Sequence, residues 1–202
     1  MLLKLLLMQS LRKGAEVYIA DFKGGVDFPK VWHQKCRMCF TEEDLLYTLG
    51  QLVAVLEYRK GRLAETGCKD LDTYNEVTGE SLPRIVFACD EVAEMLDKTG
   101  RSKESKEVLA QIENKLATLS RLGRAFGIHL ILATQRPDAN ILPGQIKNNM
   151  DFRVCGRADS ILSGIILDNT SAAEQIPKDA RGRFITGDGT VFQAYMLDEK
   201  QL

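Results

Sequence analysis

The segment Arg84-Ile85-Val86-Phe87-Ala88-Cys89-Asp90-Glu91 decides the fold, because an uninterrupted apolar run ends abruptly in two adjacent carboxylates. Strands of a parallel sheet covered by helices on both faces have sequences of this continuous hydrophobic kind. In open α/β sheets, functional groups lie just past the carboxyl ends of the strands. An acidic pair at that point can hold Mg²⁺ through the first carboxylate and orient a water through the second. This is the Walker B arrangement of nucleotide-hydrolysing sites.

The pair Asp90-Glu91 also suits the start of a helix, where acidic side chains interact favourably with the helix dipole, and this simpler interpretation stays open. A second buried strand is predicted over 128–133, which is apolar apart from His129, and it is followed by Thr134-Gln135-Arg136-Pro137. Here too Gln135 and Arg136 could be ordinary loop residues. Together, however, the two strand ends would bring two acids, an amide and a guanidinium to one edge of a sheet, and this combination is more specific than either part.

Strands alternate with helices along the chain, which predicts one α/β domain over residues 1–202 with a mostly parallel sheet. A first strand over 16–21 ends in Asp21, and later strands are expected near 152–155, 183–186 and 190–196. The last two are joined by Gly187-Asp188-Gly189, a strong hairpin signal. Helices are predicted over 2–13, 41–65 and 105–126, with a short one from Glu91, whereas 26–40 is predicted to be irregular and 66–83 a loop.

The composition is that of an ordinary globular domain, with 45% hydrophobic and 27% charged residues among 202. A net charge of −1 gives no support for a nucleic-acid-binding surface spread over the whole domain, so any DNA contact would have to be local. The apolar run 1–8 is short and lacks a small-residue cleavage pattern. We interpret it as a buried helix, and predict a cytoplasmic chain with no membrane insertion of its own; a membrane anchor elsewhere in a longer parent protein stays open.

The five cysteines are scattered and odd in number, which favours free thiols over a disulfide framework. His33, Cys36 and Cys39 have a spacing suited to a zinc knuckle, but no fourth ligand follows. Ordinary packing is the preferred interpretation of these three side chains, and a zinc site is the minor alternative.

Two segments resemble the motor domain of the FtsK/SpoIIIE DNA translocases. They are 82–91, which contains the acidic pair, and 125–137, whose Ala-Thr-Gln-Arg-Pro portion is the most specific part. The resemblance covers most of residues 15–190. It also includes the segments 56–59, 72–75, 146–149 and 165–168. The amino-acid sequence of 148–156 and of Asp168-Asn169-Thr170 is more similar to the members encoded on conjugative elements than to the cell-division members.

This resemblance implies a RecA-like P-loop NTPase fold, a three-layer sandwich, working as an ATP-driven motor on double-stranded DNA in a homohexameric ring. Asp90 would be the acid associated with Mg²⁺ through water, and Glu91 would position or activate the attacking water. Gln135 would sense the γ-phosphate, and Asp21, at the end of a neighbouring strand, would join the ATP-binding site.

The resemblance also implies an arginine that is supplied in trans to the ATP of a neighbouring subunit. Arg153 is the first choice and Arg157 the second, because this sequence is several residues shorter than the family pattern there. The family carries another arginine soon after an Asp-Ser pair, whereas here Asp159-Ser160 is followed by Ile161, so that role is not filled.

No Gly-x-x-x-x-Gly-Lys-Ser/Thr motif occurs in the 202 residues. The family carries this phosphate loop immediately before a helix like the one predicted over 2–13. We therefore expect a chain truncated just after the Walker A loop, lacking the strand that feeds the loop and binding ATP weakly on its own. A sheet short of a strand would have unpaired edges that invite self-association.

Two other functions stay open. One is a chain that kept the fold, lost hydrolysis and serves as an interaction module. The other is a RecA-type recombinase or helicase, which shares the fold but not the Ala-Thr-Gln-Arg-Pro segment.

Overall fold

The main sheet has four parallel strands in the order β2-β1-β3-β4. A computed structural model describes residues 2–135 and 142–199 of the chain. The strands are β1 (Glu16–Ala20), β2 (Arg37–Cys39), β3 (Ile85–Cys89) and β4 (Ile128–Leu132).

Helices connect these strands, and three short helices follow β4 in the described ranges. They are α1 (Leu2–Arg12), α2 (Lys30–Lys35), α3 (Glu42–Thr66), α4 (Leu71–Thr78), α5 (Val92–Leu96), α6 (Lys103–Leu122), α7 (Gly144–Lys147), α8 (Ser160–Leu167) and α9 (Ser171–Gln175), with a 3₁₀ turn over Gly123–Phe126. Within the described ranges, none of these helices combines the length and the apolar character that crossing a membrane requires.

Alternation along β3 divides the core into two layers. Val86 and Ala88 pack with α1 and Trp32 on one face of the sheet, whereas Phe87 and Cys89 pack with α3 and α6 on the other. All five residues of β3 are buried because helices cover both faces. The mostly parallel sheet between two helical layers that the sequence predicts is therefore confirmed.

A second, smaller sheet follows in the last quarter of the chain. Its strands β5 (Val154–Cys155), β6 (Arg183–Thr186) and β7 (Val191–Gln193) are antiparallel, in that order, and pack on a separate apolar cluster with α8 and α9. The predicted hairpin is present, since the Thr186 amide donates to the Thr190 carbonyl at 3.0 Å. The sequence pattern alone does not distinguish the strands of this sheet from those of the parallel one.

Two stretches predicted to lack regular structure are in fact ordered. Residues 26–40 contain α2 and β2, and residues 66–83 contain α4. Asp70 caps α4 by accepting from the Thr73 amide at 2.8 Å, and Gly79 ends it in a left-handed conformation, with φ at +72°. The predictions were wrong because a three-residue strand and an eight-residue helix are too short for a clear hydrophobic period.

Arg59 connects the long helix α3 to the segments that precede two sheet strands. Its side chain is buried, with 4% of the residue exposed, and it donates to the Phe126 and Pro83 carbonyls at 2.7 Å each. Burial lowers the pKa of this guanidinium. Because β3 begins just after Pro83 and β4 just after Phe126, Arg59 fixes the starts of the strands whose other ends carry the candidate site.

Replacing Arg59 with alanine should lower the free energy of unfolding by about 2–4 kcal/mol, because two carbonyls lose charged donors and the packed side chain is removed. Urea unfolding followed by circular dichroism measures this change. The matched control is Lys60→Ala on the same helix, where an exposed pair with Glu57 is lost at a cost of about 0.5 kcal/mol or less. Equal stability of the two variants would contradict the role given to Arg59.

Candidate active site

The register of the parallel sheet aligns the carboxyl ends of three strands. Ala20 of β1 pairs with Cys89 of β3, and Cys89 pairs with Leu132 of β4. The residues that follow these partners therefore lie side by side at one edge of the sheet. This edge brings together Asp21, Asp90, Glu91 and the residues after β4, as the sequence predicts for a site at strand ends.

Within the described part of the chain, Glu91 is held in a defined position by two neutral donors that follow β4. Its carboxylate accepts from the Thr134 hydroxyl at 2.6 Å and from the Gln135 amide at 2.9 Å. The residue is only 8% exposed and sits at the N-cap position of α5, where it makes no side-chain capping bond to its own helix. Its carboxylate thus connects neighbouring strand ends instead of capping α5, which argues against the simple helix-start interpretation.

Asp90 faces a cation instead of neutral donors. The Lys23 ammonium lies 3.3 Å from the nearer carboxylate oxygen of Asp90 and 3.2 Å from that of Asp27. Lys23 and Asp27 belong to the loop that follows β1, whereas Asp90 follows β3. The ion pairs therefore join two strand ends across the candidate site.

Asp21 shapes the loop that carries Lys23. The residue is 1% exposed, and one of its carboxylate oxygens accepts from the Lys23 amide at 2.9 Å. The other oxygen is buried without a hydrogen-bond partner among the described residues. Gly24 and Gly25 follow with φ at +73° and +82°, a conformation that favours glycine, so the turn is specified by an acid and two glycines.

The electrostatic environment differs among these charged groups. Burial raises the pKa of Asp90, while Lys23 acts in the opposite direction. The hydrogen bond from Lys23 lowers the pKa of Asp27. Burial alone would lower the pKa of Lys23, but its hydrogen bonds to Asp27 and Asp90 raise it. The pKa of Asp90 is therefore raised on balance, because burial and the neighbouring Asp27 carboxylate favour the protonated form and Lys23 offsets only part of their effect.

The donor set fits a hard cation that keeps most of its waters. The ammonium of Lys23 already lies against the carboxylates of Asp90 and Asp27, so the place is one that a cation can occupy. Across residues 2–135 and 142–199, no group of three potential ligands is close enough to enclose a metal. Mg²⁺ suits this arrangement because it is usually bound through one or two carboxylates, waters and substrate phosphates.

Of the two residues after Thr134, the structure describes Gln135 but not Arg136. Gln135 is exposed, and its backbone amide, not its carboxamide, makes the contact with Glu91. Arg136, which the sequence places at the same edge, lies outside the described residues. The role of the Gln135 side chain as a phosphate sensor stays a prediction.

The candidate arginines lie beside the smaller sheet and are bound within the chain. Arg153 pairs with Asp168 and donates to the Met150 and Lys147 carbonyls at 3.0 and 3.1 Å. Arg157 donates to the Lys178 carbonyl. Within the described residues, the structure brings neither guanidinium into contact with the acidic strand ends, and a role in trans stays a prediction for both.

The potential zinc ligands have other partners. His33 contacts the Phe28 carbonyl at 2.9 Å through its Nε2, and the Cys39 thiol donates to the Thr48 hydroxyl at 3.2 Å. Cys36 is buried, and burial raises the pKa of its thiol to about 11, which opposes formation of the thiolate that zinc needs. All five cysteines are free. The packing interpretation accounts for each of these contacts.

Sequence reasoning gave no role to three residues that build the site. These are Lys23, Asp27 and Thr134. Their position was the available signal, because Lys23 and Asp27 belong to the turn after β1 and Thr134 directly follows the apolar run of β4. Lys23 and Asp90 are 67 positions apart in the sequence, and Thr134 and Glu91 are 43 apart, whereas Lys23 and Asp27 are separated by only four.

The fold of the chain is shared with proteins of known structure. The chain superimposes on the cytoplasmic domain of the type VII secretion ATPase EccC of Thermomonospora curvata with a TM-score of 0.65 over 92% of its length, at 22% identity. At that identity the comparison shows the fold alone. The fold is that of P-loop ATPase motor domains, as predicted.

More similar proteins identify the relatives. The pCW3 conjugation coupling protein TcpA, solved in a monomer form with ATPγS, matches with a TM-score of 0.92 and 39% identity over 98% of this chain. DNA translocase FtsK of Treponema pallidum is 34% identical over 134 residues, and DNA translocase SftA of Bacillus subtilis is 29% identical over 130 residues. These matches cover 63% and 62% of this chain. No family model matches the chain.

The predicted resemblance to the FtsK/SpoIIIE-type translocases is therefore confirmed, and proteins named DNA translocase FtsK are homologues of the chain. The matches span 16% of the Treponema pallidum relative, 13% of the Bacillus subtilis relative and 57% of the TcpA chain. The chain therefore corresponds to only part of each of these longer proteins.

Replacing Thr134 with valine should lower the free energy of unfolding by about 1–3 kcal/mol, because the buried Glu91 carboxylate loses the hydroxyl donor described above. Thr134→Ser is the matched control, since it keeps the hydroxyl and should retain most of the stability. Urea unfolding of both variants at neutral pH checks this prediction. If the valine variant were as stable as the serine variant, the hydroxyl would not be holding Glu91.

Proposed function

We propose that the chain is the Walker B side of the ATP site in a motor that translocates double-stranded DNA. The observation that carries this proposal is the pair of adjacent acids at the end of β3 with contrasting environments. Asp90 faces a cation, and Glu91 is held by neutral donors from β4. The similarity to proteins named DNA translocases supports DNA as the substrate.

Each acid has the surroundings that its proposed role requires. Asp90, half-buried beside Lys23, would associate with Mg²⁺ through water, and the ion would neutralise charge that develops on the phosphates. Glu91 would orient the water that attacks the γ-phosphate, because its two hydrogen bonds fix the carboxylate. Gln135 would contact the γ-phosphate through its exposed side chain, and Asp21 would keep the β1 loop in place.

The position of α1 supports phosphate binding at this edge. Near its start, the Lys4 ammonium lies 5.4 Å from the centroid of the Phe28 ring, and Phe28 belongs to the loop after β1. The beginning of α1 is therefore close to the loop that carries Lys23 and Asp27. The N-terminus of a helix favours anions because its first amide groups lack partners within the helix and the helix dipole is positive there.

The assembled motor would be a homohexameric ring, with an arginine of one subunit acting on the ATP of the next. Arg153 stays the first candidate for this role and Arg157 the second. The 39% identity to a conjugation coupling protein over nearly the whole chain favours transfer of conjugative DNA over chromosome segregation.

The decisive experiment is Glu91→Gln in the longer protein that contains this chain together with a phosphate loop. DNA-stimulated ATP turnover should fall about 100-fold or more, since positioned general bases contribute on that scale. ATP binding should persist. A glutamine fits the same place because its carbonyl can accept from the Gln135 amide while its amino group donates to the Thr134 hydroxyl.

Glu94→Gln, on the same short helix, is the matched control and should leave turnover unchanged. Steady-state ATPase assays with and without linear duplex DNA, together with binding of a fluorescent ATP analogue, separate chemistry from binding. Retained turnover in Glu91→Gln would remove Glu91 from the proposed role.

A second candidate function is a non-hydrolysing interaction module with the same fold. The observation in its favour is that the 202 residues contain no Gly-x-x-x-x-Gly-Lys-Ser/Thr. The same assays decide between the two functions. A longer protein that binds duplex DNA or a protein partner but never hydrolyses ATP would support the module and exclude the motor.

A further inference from the structure

Lys23 links the loop after β1 to the acid that follows β3. Its ammonium contacts Asp27 four residues later at 3.2 Å and Asp90 on the neighbouring strand end at 3.3 Å. Its side chain is about one third exposed, and that of Asp90 less than one quarter. In the described part of the chain, Lys23 is the one cation that pairs with Asp90.

The backbone around Lys23 fixes the point from which its side chain extends toward Asp90. Asp21 accepts from the Lys23 amide at 2.9 Å, and Gly24 and Gly25 turn the chain directly afterwards with positive φ. The side chain therefore starts from a fixed point of the loop. A lysine placed by a buried acid and two glycines differs from the solvated pairs on α3, such as Lys60 with Glu57, where both side chains are more than half exposed.

The two acids after β3 have different kinds of partner. Glu91 accepts from the hydroxyl and the backbone amide of two consecutive residues after β4, both of them uncharged donors. Asp90 is neutralised by a flexible side chain that also has a second acid within reach. Lys23 can therefore leave Asp90 without being left unpaired, because Asp27 stays beside it in the same loop.

We propose that Lys23 is a built-in counter-ion that competes with a divalent cation for Asp90, so that cation binding displaces the ammonium onto Asp27. This inference rests on the proposed function, in which Asp90 is the acid of the cation site. It assigns to Lys23 a positioning role, since it acts on the nucleotide site through Asp90.

Simple electrostatics makes the two occupants of the site mutually exclusive. Asp27, Asp90 and Lys23 together carry a net charge of −1, and an ammonium about 3 Å from the Asp90 carboxylate stands where a bound cation or its waters would lie. A divalent ion at that place would be repelled by the ammonium at short range in a partly desolvated site. The pairing thus stabilises Asp90 as an anion when no cation is bound, and weakens cation binding.

The test measures Mn²⁺ binding to the 202-residue chain without nucleotide or DNA, by the electron paramagnetic resonance signal of free Mn²⁺. Removing the ammonium in Lys23→Met should lower the Mn²⁺ dissociation constant about fivefold, which corresponds to losing one partly exposed ion pair. Lys23→Arg keeps the positive charge and should stay within about twofold of the unsubstituted chain. Lys60→Met is the matched control on α3 and should bind like the unsubstituted chain.

Adding Asp90→Asn to Lys23→Met should abolish the gain, since the carboxylate for which the two cations compete is removed. An unchanged or weaker affinity in Lys23→Met would overturn the proposal, as would a gain that persists in the double variant or the absence of Mn²⁺ binding to Lys23→Met. Because no ATP is present, these outcomes do not depend on hydrolysis. Inactivity of the longer protein would contradict the proposed function while leaving this competition measurable.

Discussion

The parallel pairing of β1, β3 and β4 is the constraint on which the rest of the structure depends. Ala20, Cys89 and Leu132 are consecutive partners across the sheet, so the polar residues that follow each strand meet at one level. A shift of one residue in this register would move the side chains of a strand to the opposite face and misplace its terminal acid. The buried guanidinium of Arg59 supports the same register from the other end, where it holds the segments that lead into β3 and β4.

Bringing three carboxylates to one edge creates an electrostatic cost that the fold offsets in three different ways. Asp21 receives a backbone amide, Glu91 receives a hydroxyl and an amide, and Asp90 receives an ammonium. Among the described contacts, Asp90 is the acid of the three that pairs with a charged side chain, and that side chain, Lys23, also contacts a second acid, Asp27. The cation that faces Asp90 can therefore stay paired with a carboxylate when it leaves Asp90.

The sequence was sufficient to predict the parallel sheet and the edge that carries the acids, because β3 is a continuous apolar run, β4 is apolar apart from His129, and polar residues follow both. It was insufficient for β2 and α4, whose lengths of three and eight residues give little periodic signal. The role of Lys23 was also beyond sequence reasoning. A lysine in a glycine-containing turn has many possible environments, and its contact with Asp90 spans 67 residues and arises only from strand order.

If Arg153 acts in trans, it must exchange its ion pair with Asp168 for a phosphate, and the free-energy cost of that exchange depends on how exposed the pair is. Arg153 is held by two backbone carbonyls and by Asp168, whose side chain is 61% exposed. An ion pair with so exposed a partner contributes about 0–1 kcal/mol, so exchanging Asp168 for a phosphate on a neighbouring subunit would cost little. The two carbonyls would meanwhile keep the guanidinium oriented. The two carbonyls therefore restrict the direction of the Arg153 guanidinium, and its ion pair with Asp168 is weak enough to be exchanged. Both properties suit the proposed role between subunits.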